Sequence, residues 1–179
     1  MKDQVILGVD EQGNFSGEYF SKEAGHSGNG KKHLAITVLL QNNNSEVLLQ
    51  KRKHQVFDNI WDMTASTHPL HKEDGSDETN TEATVRALKD EYGIEKVEDL
   101  KEVGSIDYFT KYGKFCENEH DIILTAKYAG EINLNLETAY EFKWVNKQDF
   151  LEDIENNSEK FSPWAIEGAK LLKKSNFFV

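Results

Sequence analysis

"ETNTEATVRALKDEYGI", residues 78–94, holds both the start and the stop of one helix. Thr79 followed three positions later by Glu82 is a capping box, in which hydroxyl and carboxylate each satisfy a backbone N–H left free at a helix start. A helix is predicted over 80–92, ended by Gly93, because glycine takes the left-handed cap conformation without steric cost. Positions 87, 90 and 91 lie three and four residues apart, hence on one face. That face carries Ala87, Asp90 and Glu91, with Arg86 beside it and Glu78 in the loop before it. Two meanings stay open at this point: an amphipathic helix with solvated acids, or a helix that offers carboxylates to a metal.

Upstream of this helix, "HKEDGSDETN" (71–80) is acidic and aperiodic, a loop. Before the loop, "TASTHPL" (64–70) alternates Thr64, Ser66 and His68, so in a strand the three share a face until Pro69 ends the ladder. A strand is therefore expected over Ile60–His68, and its histidine is half of a catalytic pair, a metal ligand, or neither. "QVILGVD" (4–10) reads as a strand turned by "EQGN", and 33–41 with 46–52 as a hairpin across "NNNS". Downstream, 102–112, 120–128 and 141–145 read as strands, mostly antiparallel given their short connections. "KQDFLEDIEN" (147–156) suits a helix. "SPWAIEGAKLLKK" (162–174) is another, with Ser162 as cap, Pro163 at the first helical position and lysines at the dipole's negative end. The expectation is one α+β domain over 1–179 with three helices.

Composition narrows the functional classes. A net charge of −11 lacks the clustered positive field that nucleic acid or an anionic membrane needs, so neither is expected as a partner. A small phosphorylated ligand remains compatible, since a few basic residues and a metal can reverse the field in one pocket. The single cysteine, Cys116, allows no internal disulfide and suits a reducing compartment. No run approaches the ~20 apolar residues of a membrane span. The N-terminal apolar run is too short for a signal peptide. A cytoplasmic protein, monomer or homodimer, is expected.

Histidine placement suggests a metal. His26 and His33 are seven residues apart, His68 follows a strand, and Glu117 and Glu119 alternate onto one face of another strand. Three imidazoles and two carboxylates suit octahedral Mn2+ or Mg2+ better than tetrahedral Zn2+, although Zn2+ fits three histidines. His54, His71 and His120 are read as structural or exposed.

The 78–94 stretch resembles the Nudix signature, G-x5-E-x7-REUxEExGU, with Lys72 in place of the glycine and Ala87 in place of the first helix glutamate. The ordered set H-x6-H-L-A (His26, His33), W-x6-H-P (Trp61, His68), E-N-E (117–119) and F-S-P-W (161–164) resembles the type I isopentenyl-diphosphate isomerases, a branch of that fold. The resemblance implies a Nudix-type α/β/α sandwich with a mixed, largely antiparallel sheet. It also implies His26, His33, His68, Glu117 and Glu119 as metal ligands, and Glu91 as holder of a second metal, Mg2+, on the substrate diphosphate. Glu119 and Tyr108 would serve one face of the substrate, Trp164 would face the carbocation, and Lys22, Arg52, Lys53 and Arg86 would grip phosphates. Ser66 stands where that family places its catalytic cysteine. Free cysteine titrates near ~8.5 and serine is a far weaker acid, so slow proton transfer is expected. Cys116 should point away from the ligands. The expected activity is isomerisation of isopentenyl to dimethylallyl diphosphate. The alternatives are a hydrolase of a nucleoside or isoprenoid diphosphate linkage, favoured by Ser66 and Asp90, and a non-catalytic binding protein.

Overall fold

Strand β3 (His33–Gln41) is the hub of the sheet, in a computed structural model that describes residues 4–178. It pairs antiparallel with β1 (Val5–Val9), β4 (Glu46–Arg52) and β6 (Ala65–Thr67). It pairs parallel with β8 (Phe115–Lys127) over its whole length, from His33 opposite Glu119 to Gln41 opposite Lys127. β1 carries β2 (Phe15–Ser21) on its outer side, and β4 carries β5 (Trp61–Asp62) and β9 (Ala139–Asn146). β7 (Glu98–Tyr112) forms a long hairpin with β8. Among the strand pairs of the described residues only β3–β8 is parallel, so the sheet is mixed and largely antiparallel.

Helix α2 (Asn80–Tyr92) covers one face, burying Ala83, Ala87, Leu88 and Tyr92 with Ile36, Val38, Leu40 and Leu48. The other face holds α3 (Lys147–Asn156) and α4 (Pro163–Lys174), whose Phe150, Ile154, Ala165, Ala169 and Leu172 pack with Leu39, Leu49, Met63 and Ile123. The alternation of β3 and β4 residues between the two clusters is the period-2 pattern of a strand buried on both sides. The result is the expected α/β/α sandwich.

The capping box forms as the sequence indicates: Thr79 Oγ1 accepts from Glu82 N–H at 3.1 Å and Glu82 Oε2 accepts from Thr79 N–H at 2.8 Å. Gly93 closes the helix at φ 68°. Three local expectations change. The strand expected over 60–68 breaks at Met63 and Thr64, because the buried Thr64 hydroxyl replaces ladder bonds. It accepts from Leu40 N–H at 2.9 Å and donates to the Leu48 carbonyl at 2.7 Å. A half-exposed strand, β2, and a one-turn helix, α1 (Lys22–Gly25), add to the expected elements, giving four α-helices among the described residues. On α2, Ala87 and Glu91 turn inward while Asp90 faces solvent, so the three do not act as one polar face.

Thr79→Ala is expected to lower unfolding free energy by about 1 kcal/mol. Urea denaturation checks this, with Thr79→Ser expected to keep most of the wild-type stability.

Candidate active site

Four side chains meet where β3, β6 and β8 run side by side. His33 opens β3 directly opposite Glu119 on β8, His68 lies just past β6, and His26 caps α1, itself started by Ser21 accepting from Ala24 N–H at 3.2 Å. One ligand atom from each of His26, His33, His68 and Glu119 lies within 4.8 Å of all the others. Glu119 Oε1 is 2.8 Å from His68 Nε2, 3.2 Å from His33 Nε2 and 3.7 Å from His26 Nε2. Glu117 stands at the rim, its Oε2 2.9 Å from His26 Nε2.

The hydrogen-bond pattern tests whether a cation fits. His26 Nδ1 meets the Lys22 carbonyl at 2.6 Å and His33 Nδ1 meets the Lys31 carbonyl at 2.7 Å. A carbonyl only accepts, so each Nδ1 carries a hydrogen and each Nε2 is left as the atom turned to the carboxylates. In the neutral form each Nε2 presents a lone pair, and a divalent cation would take the place of the proton that otherwise bridges His26 to Glu117 and Glu119. The donor set of three nitrogens and carboxylate oxygens fits such an ion. Electrostatics follow the same crowding. Burial opposes charge on His26, but Glu117 and Glu119 lift it to about 10. Burial holds His68 down to about 3 despite Glu119. Against its own burial, the three imidazoles hold Glu119 well below the usual carboxylate range, whereas burial raises Glu117.

Tyr108, opposite Glu119 on β7, donates its phenol hydrogen to Glu119 Oε2. Four residues along β3 from that row, Thr37 pairs with Ser66 of β6. Thr37 Oγ1 lies 2.8 Å from Asp121 Oδ2 and 3.1 Å from Ser66 Oγ, and Ser66 Oγ accepts from Trp164 Nε1 at 3.0 Å. Trp164, at the start of α4, is 3% exposed. Phe57 stands edge-on to it at 5.4 Å and Tyr108 lies 6.0 Å away. Ser66, Trp164, Tyr108 and Glu119 thus form one connected cluster beside the histidines.

The basic residues divide. Lys22 is largely buried and lies in the field of Arg52 and Arg86. Burial and those cations lower its proton affinity, while Glu117 and Glu119 oppose them. Arg52 sits 4.7 Å over the Trp164 ring and donates to Asp62 Oδ2 at 2.8 Å. Arg86 is committed to Glu78, at 2.9 Å through Nε and Nη2, and to the His68 carbonyl at 2.8 Å, so it braces the histidine's backbone. Lys53 turns away to the Leu136 carbonyl at 2.7 Å and is not brought to the cluster. Glu91 is inward-facing, bonded to Gln50 Nε2 at 3.1 Å, and burial pushes it up to about 8.

Cys116 packs on the opposite face of β8: a Cβ on Gly30 would lie 2.6 Å from its sulfur. Burial also raises its thiol, so it does not replace Ser66. His71 and His120 pair with Asp77 and Asp107 at 2.6 and 3.1 Å, apart from the three-histidine group. Sequence reasoning passed over Asp62, Thr37 and Asp121. The available signal was an acidic residue inside an apolar strand pattern, "IWDM" and "EHDII".

A NUDIX domain model matches residues 31–165. Isopentenyl-diphosphate Delta-isomerase 2 of Aromatoleum aromaticum is 32% identical over 92% of this chain and 83% of its own length. The isopentenyl-diphosphate Delta-isomerase of Photobacterium profundum is 29% identical over 92% and 91% of the two chains. Among solved structures, the Deinococcus radiodurans protein DR0079 superposes with a TM-score of 0.69 at 12% identity, covering 93% of this chain and 98% of that one. The MutT protein of Methanosarcina mazei gives 0.62 at 17%, covering 81% and 95%. At those identities the likeness speaks for the fold alone. The family match and the Aromatoleum relative show that the chain is an enzyme of the NUDIX family and, within it, of the isopentenyl-diphosphate Delta-isomerase family.

Proposed function

We propose that this enzyme converts isopentenyl diphosphate to dimethylallyl diphosphate by adding a proton to the alkene and removing one from the neighbouring carbon. The observation that carries this reading is the meeting of Glu119, hydrogen-bonded by Tyr108, with the three imidazoles, beside Ser66 under Trp164. The reaction passes through a tertiary cation, so the site has to exclude water and any free nucleophile. Phe57, Tyr108 and Trp164 wall it, and the Ser66 hydroxyl is tied to Thr37 and Trp164. In this reading the Tyr108–Glu119 pair handles one proton and Ser66 the other, with the indole face of Trp164 beside the developing positive charge.

His26, His33, His68 and Glu119, with Glu117 at the rim, would hold a divalent ion, Mn2+ or Mg2+ by ligand number. Bound there, such an ion supplies a fixed positive charge that orients the Glu119 carboxylate. Glu91 would hold Mg2+ on the diphosphate, and Lys22 and Arg52 would receive the phosphate oxygens. The single buried thiol of Cys116 suits a reducing compartment such as the cytoplasm. No helix of the described residues is long and apolar enough to cross a membrane.

One observation favours a second reading, hydrolysis of a diphosphate linkage. The Arg52 guanidinium already lies over the Trp164 ring, where a carbocation would compete with it. Against it stands Ala87, buried in the α2 cluster at the position where Nudix hydrolases use a glutamate for metal.

Ser66→Cys is expected to raise isomerase turnover by roughly 10²-fold, through an acid of more suitable pKa, as read by NMR of isopentenyl diphosphate with Mg2+ and Mn2+. Phosphate release from nucleoside or isoprenoid diphosphates, without isomerisation in either protein, would select the second reading. Separately, Mn2+ at a hundredfold excess over its Kd should stabilise the protein by about 2.7 kcal/mol, or roughly 5–10 °C in Tm. His33→Ala should lose that increment, and an equal Tm rise in the variant would place the ion elsewhere.

A further inference from the structure

Asp62 is fully buried and receives four donors. Oδ1 takes the Met63 N–H and the Ser162 hydroxyl, both at 2.8 Å. Oδ2 takes Arg52 Nη1 at 2.8 Å and Trp164 Nε1 at 2.9 Å. Ser162 Oγ itself accepts from Ala165 N–H at 3.3 Å, so its hydrogen is turned to Asp62. With four donors aimed at two oxygens, the carboxylate is satisfied in its ionised form, and Arg52 is its charge partner.

Two of these bonds meet on one oxygen and lead to different side chains, Arg52 and Trp164. Arg52 is further held by the Phe57 and Val56 carbonyls, at 3.3 and 3.5 Å, which leaves two of its five N–H groups for an anion. On the other side, the single indole hydrogen of Trp164 is shared between Asp62 Oδ2 at 2.9 Å and Ser66 Oγ at 3.0 Å. Whatever changes the charge that Oδ2 feels from Arg52 therefore changes how much of that hydrogen remains for Ser66.

We infer that Asp62 is a positioning residue that couples the anion grip of Arg52 to the hydrogen bond Trp164 gives Ser66. The inference rests on the reading that Arg52 meets the substrate diphosphate. A diphosphate on the outer N–H groups draws on the guanidinium's charge and leaves Oδ2 less neutralised. Oδ2 becomes the stronger acceptor and takes a larger share of the indole hydrogen. Burial keeps the effect from being screened by solvent. Loading the anion end thus resets the hydrogen bonding of Ser66 at the hydrocarbon end.

The test follows the indole N–H signals of the 15N-labelled protein, assigned among its three tryptophans by single Trp→Phe changes, while inorganic pyrophosphate with Mg2+ is titrated in. In the wild-type protein the Trp164 proton is expected to move downfield with saturation. In Asp62→Asn the signal at pyrophosphate saturation should stay where it started. A wild-type signal that does not move at saturation overturns the coupling, as does an Asp62→Asn signal that moves as far as the wild-type one. If Asp62→Asn does not fold, ligand-free Arg52→Gln takes its place. Removing the cation should shift the same signal downfield, and an unchanged signal overturns the inference. Failure of the wild-type protein to bind pyrophosphate would count against the diphosphate reading instead, and Arg52→Gln then still decides the coupling.

Discussion

The parallel pairing of β3 with β8 is the constraint on which the site depends. It sets His33 opposite Glu119, and with side chains alternating every residue the pairing carries Ala35 and Asp121 onto the same face in the next row. The antiparallel partner β6 then brings Ser66 beside Thr37. A slip of one residue in either pairing would turn Glu119 to the opposite face, where Cys116 packs against Gly30. The apolar clusters on both faces, under α2 and under α3 with α4, oppose such a slip because every β3 side chain would then be moved to the wrong layer.

Around that register the protein buries an unusual density of charge. Glu119 is ringed by imidazoles, Asp62 by four donors, and Glu91 by Gln50 and the field of Arg52. Buried charges are tolerated when each is paired or coordinated, and partial satisfaction is costly. Asp121 is the exception, with Oδ1 lacking a hydrogen-bond partner and burial raising its proton affinity well above the usual carboxylate value. Such groups concentrate where a fold gives up stability for chemistry.

Much of the architecture was legible in the chain. The capping box at Thr79 and Glu82, the Gly93 cap and the Ser162–Pro163 start are local signals, each satisfied within a few residues, and each stands as read. The strands of the expected 33–52 hairpin, by contrast, pair only at Gln41 and Val47, because β4 runs on beside β9. β2 escaped because its exposed edge shows little apolar pattern. The break at Thr64 escaped because the groups its hydroxyl satisfies, on Leu40 and Leu48, are distant in sequence.

The sequence by itself determined the residue types of the site and their order along the chain. His26, His33, His68, Glu117 and Glu119 were readable as a set because their order along the chain resembles that of the isomerase family and their chemistry suits a divalent ion. Only the tertiary structure decided what each side chain does with its hydrogen bonds. Four of these candidate ligands converge while Glu117 stays at the rim. Arg86 is drawn to Glu78 and Lys53 to a loop carbonyl. Asp62 becomes the link between Arg52 and Trp164, residues 112 positions apart along the chain. The physical reason is that a residue's type states what it can bond, whereas its partner is chosen by which strands lie side by side, and that is set by burial over the whole sheet.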